Sequence, residues 1–120
     1  MPTQAQMKAA LQSYVDGFAN GDPEAVIALF AEDAVVEDPV GTPEKRGAEV
    51  AEFYRNAVGS GAKISLDTPI RGSHGSSAAM AFTVEMPGMQ ISVIDVFTFN
   101  EAGKVTSMRA YWGSEDFTQS

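Results

Sequence analysis

The run MQISVIDVFTF, residues 89–99, alternates apolar and polar side chains more strictly than any other part of the chain. Such a period of two is sustained only by a β-strand with one side in a core. Ile91, Val93, Asp95, Phe97 and Phe99 fall on that side, so the pattern carries a carboxyl group into apolar surroundings. An unpartnered carboxylate there is costly. Asp95 is therefore expected to raise its pKa, to stay neutral at pH 7 and to act as a hydrogen-bond donor. A neutral acid in an apolar pocket is suited to holding a developing oxyanion. A core acid satisfied by a structural hydrogen bond produces the same sequence pattern.

The rest of the chain supplies the elements to surround that strand. Met7, Leu11, Tyr14 and Phe18 fall within roughly 60° of arc at 3.6 residues per turn, which predicts an amphipathic helix ending at Gly21 with Tyr14 on its buried side. Asp22 and Pro23 are an N-cap and a first helical residue, opening a second helix whose apolar contacts come from Val26, Ile27, Leu29 and Phe30. A short strand with Ala34, Val36 and Asp38 on one side ends at Pro39, Gly41 and Pro43. A third helix over residues 48–58 buries Val50, Phe53, Tyr54 and Ala57. Strands follow: Ile64 and Leu66 in one, Met80, Phe82, Val84 and Met86 inward in another, then the Asp95 strand and a last one carrying Met108, Ala110 and Trp112.

Helices first and strands second predict an α+β domain. Its three N-terminal helices pack in the concave side of a curved, mostly antiparallel sheet, a cone-shaped α+β barrel enclosing a pocket. Residues 1–120 form a single domain, a length that buries a core but leaves no room for two ordinary domains.

Turn chemistry sharpens the register. Met86-Pro87-Gly88-Met89 fits a two-residue type II connection, which places Met80 opposite Asp95. A four-residue loop at Asn100 to Gly103, pairing Phe99 with Lys104, places Met108 on the other side of Asp95. Ile94, Val96, Ala79, Ala81, Val105 and Tyr111 then point outward, where a half-exposed sheet normally carries polar side chains.

A formal net charge of −8 argues against nucleic acid and anionic membrane surfaces as partners. There is no cysteine, so neither a disulfide framework nor thiolate chemistry is available. MPTQAQMKAAL lacks the apolar core of a signal peptide, and a cytoplasmic setting is expected. The one histidine, His74, sits in GSHGS, a surface loop by composition, with no carboxylates at ligand spacing, and no metal site is expected. No glycine-rich phosphate loop appears.

Three groups remain for chemistry. Asp38, at a strand end before a proline, is placed to face a cavity while keeping contact with water, which suits a base; an isolated Asp-Pro is also an ordinary turn. Tyr14 offers a phenol that needs a partner if buried, and equally reads as a core aromatic. Two carboxyl groups in unlike surroundings can divide acid and base work, and groups with perturbed titration gather at functional sites.

From Tyr14 to Trp112 the chain resembles the bacterial Δ5-3-ketosteroid isomerases. The likeness is carried by the Tyr14 helix ending in NGD, LFAEDAVVEDPVG with Asp38, EFYRN, AMAFTVEM, VIDVFTFNEAGKV with Asp95, and MRAYWG. A protonated aspartic acid in an oxyanion hole is an established property of that family. The resemblance implies Asp38 as general base moving a proton from carbon 4 to carbon 6 of a 3-oxo-Δ5-steroid, with Tyr14 and protonated Asp95 holding the dienolate oxygen and no cofactor taking part. It further implies a neutral, apolar ligand lined by Phe18, Met80, Phe82, Val84, Met108 and Trp112, support of Tyr14 by a hydrogen bond from Tyr54, and a homodimer through the outer sheet face. Phe30 stands where some members carry a further tyrosine, which leaves the length of the hydrogen-bonded chain open. Two other functions fit the same fold: a non-catalytic module binding an apolar ligand, and another pocket enzyme of the polyketide cyclase or dehydratase type.

Overall fold

The computed structural model describes residues 1–119. Three helices, α1 (Gln4–Ala19), α2 (Pro23–Ile27) and α3 (Ala48–Gly59), pack against a curved sheet of β1 (Phe30–Glu37), β2 (Lys45–Arg46), β3 (Lys63–Leu66), β4 (Ser77–Met86), β5 (Met89–Phe99), β6 (Val105–Tyr111) and β7 (Phe117–Gln119). The sheet order is β2-β1-β6-β5-β4-β3, with β7 on the free end of β5. All pairs are antiparallel except β1 with β6. The expected α+β cone is present, with the helices against a curved sheet whose path ends at β2 and β3 without closing.

Local signals start the helices where expected. Thr3 caps α1, accepting from the Gln6 N–H while the Gln6 side chain answers the Thr3 N–H. Asp22 caps α2, with Pro23 in its first turn. The second helix is shorter than its apolar content implied. Phe30 already belongs to β1, paired with Val105, because the chain must join the sheet there. The β4–β5 hairpin follows the expected register: Met86 pairs with Met89, Gly88 takes φ 79°, and Met80 lies opposite Asp95.

The β5–β6 hairpin departs from expectation by two residues. Asn100 closes on Lys104 through a three-residue loop with Gly103 at φ 81°, one residue tighter than the four-residue reading. A bulge then inserts Thr106, so that Thr98 pairs with Ser107 but Phe99 with Val105. Asp95 therefore faces Ala110, and Met108 faces Phe97. Two one-residue shifts restore the parity of the strand, so Met108 and Trp112 keep their inward side. Val105, expected outward, lies before the bulge and is buried.

Candidate active site

Tyr14, Asp38 and Asp95 come from three elements, α1, the end of β1 and the middle of β5, and all line one cavity of about 270 Å³. Its other walls are almost wholly apolar. Phe82 and Val84 of β4, Ile91 and Val93 of β5, Phe18 of α1 and Trp112 beyond β6 supply them. Such a cavity excludes water and admits a hydrophobic ligand with few polar points of contact. Met80 and Met108, expected on this wall, are instead fully buried in the core behind it. Met80 reaches the site only as the cross-strand neighbour of Asp95. The inward row of a strand continues past the end of a cavity, so facing inward does not guarantee lining it.

Asp95 is 1% exposed. Burial drives its pKa well above the ordinary carboxylate value, and repulsion from Asp38 adds to the rise. Among the described residues no group hydrogen-bonds its carboxyl, yet no enclosed side-chain nitrogen or oxygen is left without a partner. The carboxyl oxygens are therefore open to the cavity itself, and a structural pairing does not account for this acid.

Tyr14 and Tyr54 are both buried, and the Tyr14 hydroxyl donates to the Tyr54 oxygen at 3.1 Å. Burial raises both phenols well above their usual range. Tyr54 is wedged in an aromatic cluster: the Tyr14, Phe30 and Phe53 ring centroids lie 5.5, 5.1 and 4.9 Å from its own. Phe30 packs on Tyr54 without a hydroxyl to extend the hydrogen-bonded chain, so among the described residues the phenol network stops at two.

Asp38 has different surroundings. It is half-buried just past β1, and its Oδ1 accepts a hydrogen bond from Trp112 Nε1 at 2.9 Å. Burial raises its pKa, while the Trp112 N–H and the Lys45 charge pull it back down. Its chain neighbour Glu37 turns the other way, accepting from Arg109 at 3.2 Å and from the Gly41 N–H at 2.9 Å.

Sequence reasoning brought together Tyr14, Tyr54, Asp38, Asp95 and four of the six wall residues. It missed the Trp112 hydrogen bond and the places of Phe53 and Lys45. Phe53 is on the cavity wall and is shared with an outer groove lined by Lys45, Glu49 and Glu52. Lys45 belongs to a strand too short to carry a periodic pattern. His74 is exposed in the loop before β4, as its composition implied.

Fold and site together define an open-cone α+β pocket protein of the nuclear-transport-factor-like kind, with two acids in the wall of an apolar cavity. The chain belongs to the SnoaL-like family, whose domain description matches residues 11–108. It is 42% identical to the steroid Delta-isomerase of Nocardioides simplex over 116 residues, covering 93% of this chain and 94% of that protein. It is 30% identical over 129 positions to the epoxide hydrolase LasB of Streptomyces lasalocidi, covering 97% of this chain but 44% of that longer protein. Among solved structures, the epoxide hydrolase/cyclase-like enzyme SalBIII, associated with pyran ring formation in the polyether salinomycin, superimposes over 100% of both chains with a TM-score of 0.91 at 30% identity. No helix among the described residues is long and apolar enough to cross a membrane.

Proposed function

We propose that the protein is a steroid Delta-isomerase, converting a 3-oxo-Δ5-steroid to its conjugated Δ4 isomer. The observation that carries this reading is the Asp95 carboxyl, without a hydrogen-bond partner among the described residues and open to an apolar cavity that also holds Tyr14 and Asp38. The 42% identity to a steroid Delta-isomerase supports it.

Asp38, ionised, takes a proton from carbon 4 of the bound ketone. The electron pair moves onto the carbonyl oxygen, which accepts hydrogen bonds from Tyr14 and from protonated Asp95, groups already aimed there before charge develops. Asp38 then returns the same proton to carbon 6, and the double bond settles in conjugation. Nothing is oxidised or reduced, and no cofactor enters the balance. In the structure Tyr14 donates to Tyr54. Each phenol has one proton and can accept another, so rotating the two hydroxyls lets Tyr54 donate to Tyr14 while Tyr14 donates to the ligand.

The test is to add 5-androstene-3,17-dione and follow the ultraviolet absorbance of the conjugated enone, with Asp38→Asn as control. A rise in absorbance that the variant lacks is expected. No rise with the wild type, or equal rates in both proteins, would overturn the assignment.

A second reading has the similarity to LasB and SalBIII behind it. A protonated Asp95 opening an epoxide while Asp38 accepts a proton from the attacking hydroxyl would use the same two carboxyl groups. Turnover of an epoxide in place of the steroid would favour it. We also assign the convex sheet face to a homodimer in a cytoplasmic protein. Ile94 and Tyr111 are 50% and 44% exposed there, which is unusual for a surface left to water. Sedimentation as a monomer at micromolar concentration would count against that assembly.

A further inference from the structure

Asp38 must hold a negative charge beside an apolar cavity, in a chain whose net charge of −8 works against it. The groups around it divide sharply. Tyr14 of α1 and Tyr54 of α3 are neutral phenols, and Asp95 of β5 is a second acid whose ionisation Asp38 opposes. Glu37 is already held by Arg109 and the Gly41 N–H. Two groups favour the charge on Asp38. One is the Trp112 indole N–H, which touches it at 2.9 Å. The other is Lys45, which does not touch it.

Lys45 is set by pairing. It lies opposite Val36, two residues before Asp38 in the neighbouring strand. Its ammonium stands 4.9 Å from the centroid of the Phe53 ring, whose π-face attracts a cation. Phe53 belongs to the wall of both the cavity and the outer groove, whereas Lys45 lines the groove alone. The next cation along the chain, Arg46, is held by Glu44 at 2.8 Å. Lys45 forms no ion pair with a carboxylate among the described residues. Glu49 and Glu52 of α3 share its groove and compete for its field.

We propose that Lys45 is an electrostatic positioning residue: docked on the Phe53 ring outside the cavity, its ammonium keeps Asp38 in the proton-accepting form without contacting it. This rests on the reading of Asp38 as the base. The arrangement has a physical advantage over a direct ion pair. A cation bonded to the carboxylate would hold it too tightly for it to take and return a proton, whereas one behind an aromatic ring stabilises the charge and leaves the oxygen free. It also cannot serve as a stray acid for the enolate.

The experiment is a carbon-13 titration of the Asp38 carboxyl in the wild type, Lys45→Met and Lys45→Arg, with the signal assigned by its loss in Asp38→Asn. It runs beside the pH profile of kcat/KM for 5-androstene-3,17-dione. In Lys45→Met the Asp38 titration and the acidic limb of the profile are expected to move together to higher pH. The loss in kcat/KM is expected to be roughly threefold or more near pH 5 and to vanish at alkaline pH, where the base is fully ionised. Lys45→Arg restores both. An unchanged Asp38 titration in Lys45→Met, or a loss equal at all pH values, overturns the proposal. If Lys45→Met fails to fold, Lys45→Gln, which keeps a polar stem, is read by the same criteria. Because the carboxyl titrates whether or not the steroid turns over, a shifted titration without wild-type isomerisation would remove the assigned function and not the Lys45 effect.

Discussion

The two acids of the cavity differ in every feature except their chemistry. Asp95 sits at the centre of the longest strand, 1% exposed, with Met80 and Ala110 as cross-strand neighbours and no polar partner among the described residues. Asp38 sits past the end of a strand, half-buried, with an indole N–H on one oxygen and a lysine nearby. Both are pushed toward the neutral form by burial, but only Asp38 is pulled back. Backbone position thus decides proton position: a strand interior offers no spare donors, whereas a strand end opens onto loops and neighbouring chain termini that supply them. In the proposed isomerase this contrast is the division of labour between donor and base.

The contrast can be broken most severely at Asp38. Replacing it by Asn removes the proton acceptor and is expected to lower kcat by roughly 10²–10⁴-fold. A planar phenol that imitates the dienolate should still bind with undiminished affinity, as measured by fluorescence or calorimetry. Next in size are the donors. Asp95→Ala and Tyr14→Phe should each cost about 2–4 kcal/mol of transition-state stabilisation, read from kcat/KM, and should weaken binding of the same phenol. Equal and slight effects in all three variants would erase the distinction between base and oxyanion site.

Trp112→Phe tests the support of Asp38 with the apolar wall kept. A hydrogen bond to a charged group contributes about 1.5–3 kcal/mol, so the acidic limb of kcat/KM should move to higher pH, with a loss of roughly tenfold below pH 6. The last effect is on stability. The raised pKa of Asp95 means that its contribution is fully present below the ordinary value of 3.8 and is lost as pH rises toward and through the folded value. Asp95→Asn, neutral throughout, is free of that loss. Its unfolding free energy, measured with urea, should therefore gain on that of the wild type as pH rises above 3.8, by up to about 1.4 kcal/mol per pH unit until Asp95 ionises in the folded protein. Parallel stability curves would mean that Asp95 does not stay protonated on folding.

Much of this is legible in the sequence because it is written in short-range chemistry. Period-two alternation gives the side of Asp95, Asp22-Pro23 gives a helix start, and Pro87-Gly88 leaves one hairpin register. The parts that escape are those set by distant chain. The three strand residues Phe117 to Gln119 and the two at Lys45 and Arg46 are too few to show a period, and they form because the edges of β5 and β1 need partners. Phe30 reads as helical by composition and joins the sheet by pairing with Val105. The Trp112–Asp38 hydrogen bond joins residues 74 positions apart, and no local pattern announces it.

The Thr106 bulge carries a consequence for how this hairpin can vary. Because the tight loop at Asn100 to Lys104 and the extra residue at Thr106 each rotate the last strand by half a turn, together they return Trp112 to the ligand's side. Undoing either shift alone, with the chain length kept, would turn the indole outward and leave Asp38 without its donor. Natural length changes in this stretch should accordingly come in twos, or be matched by the loss of the bulge.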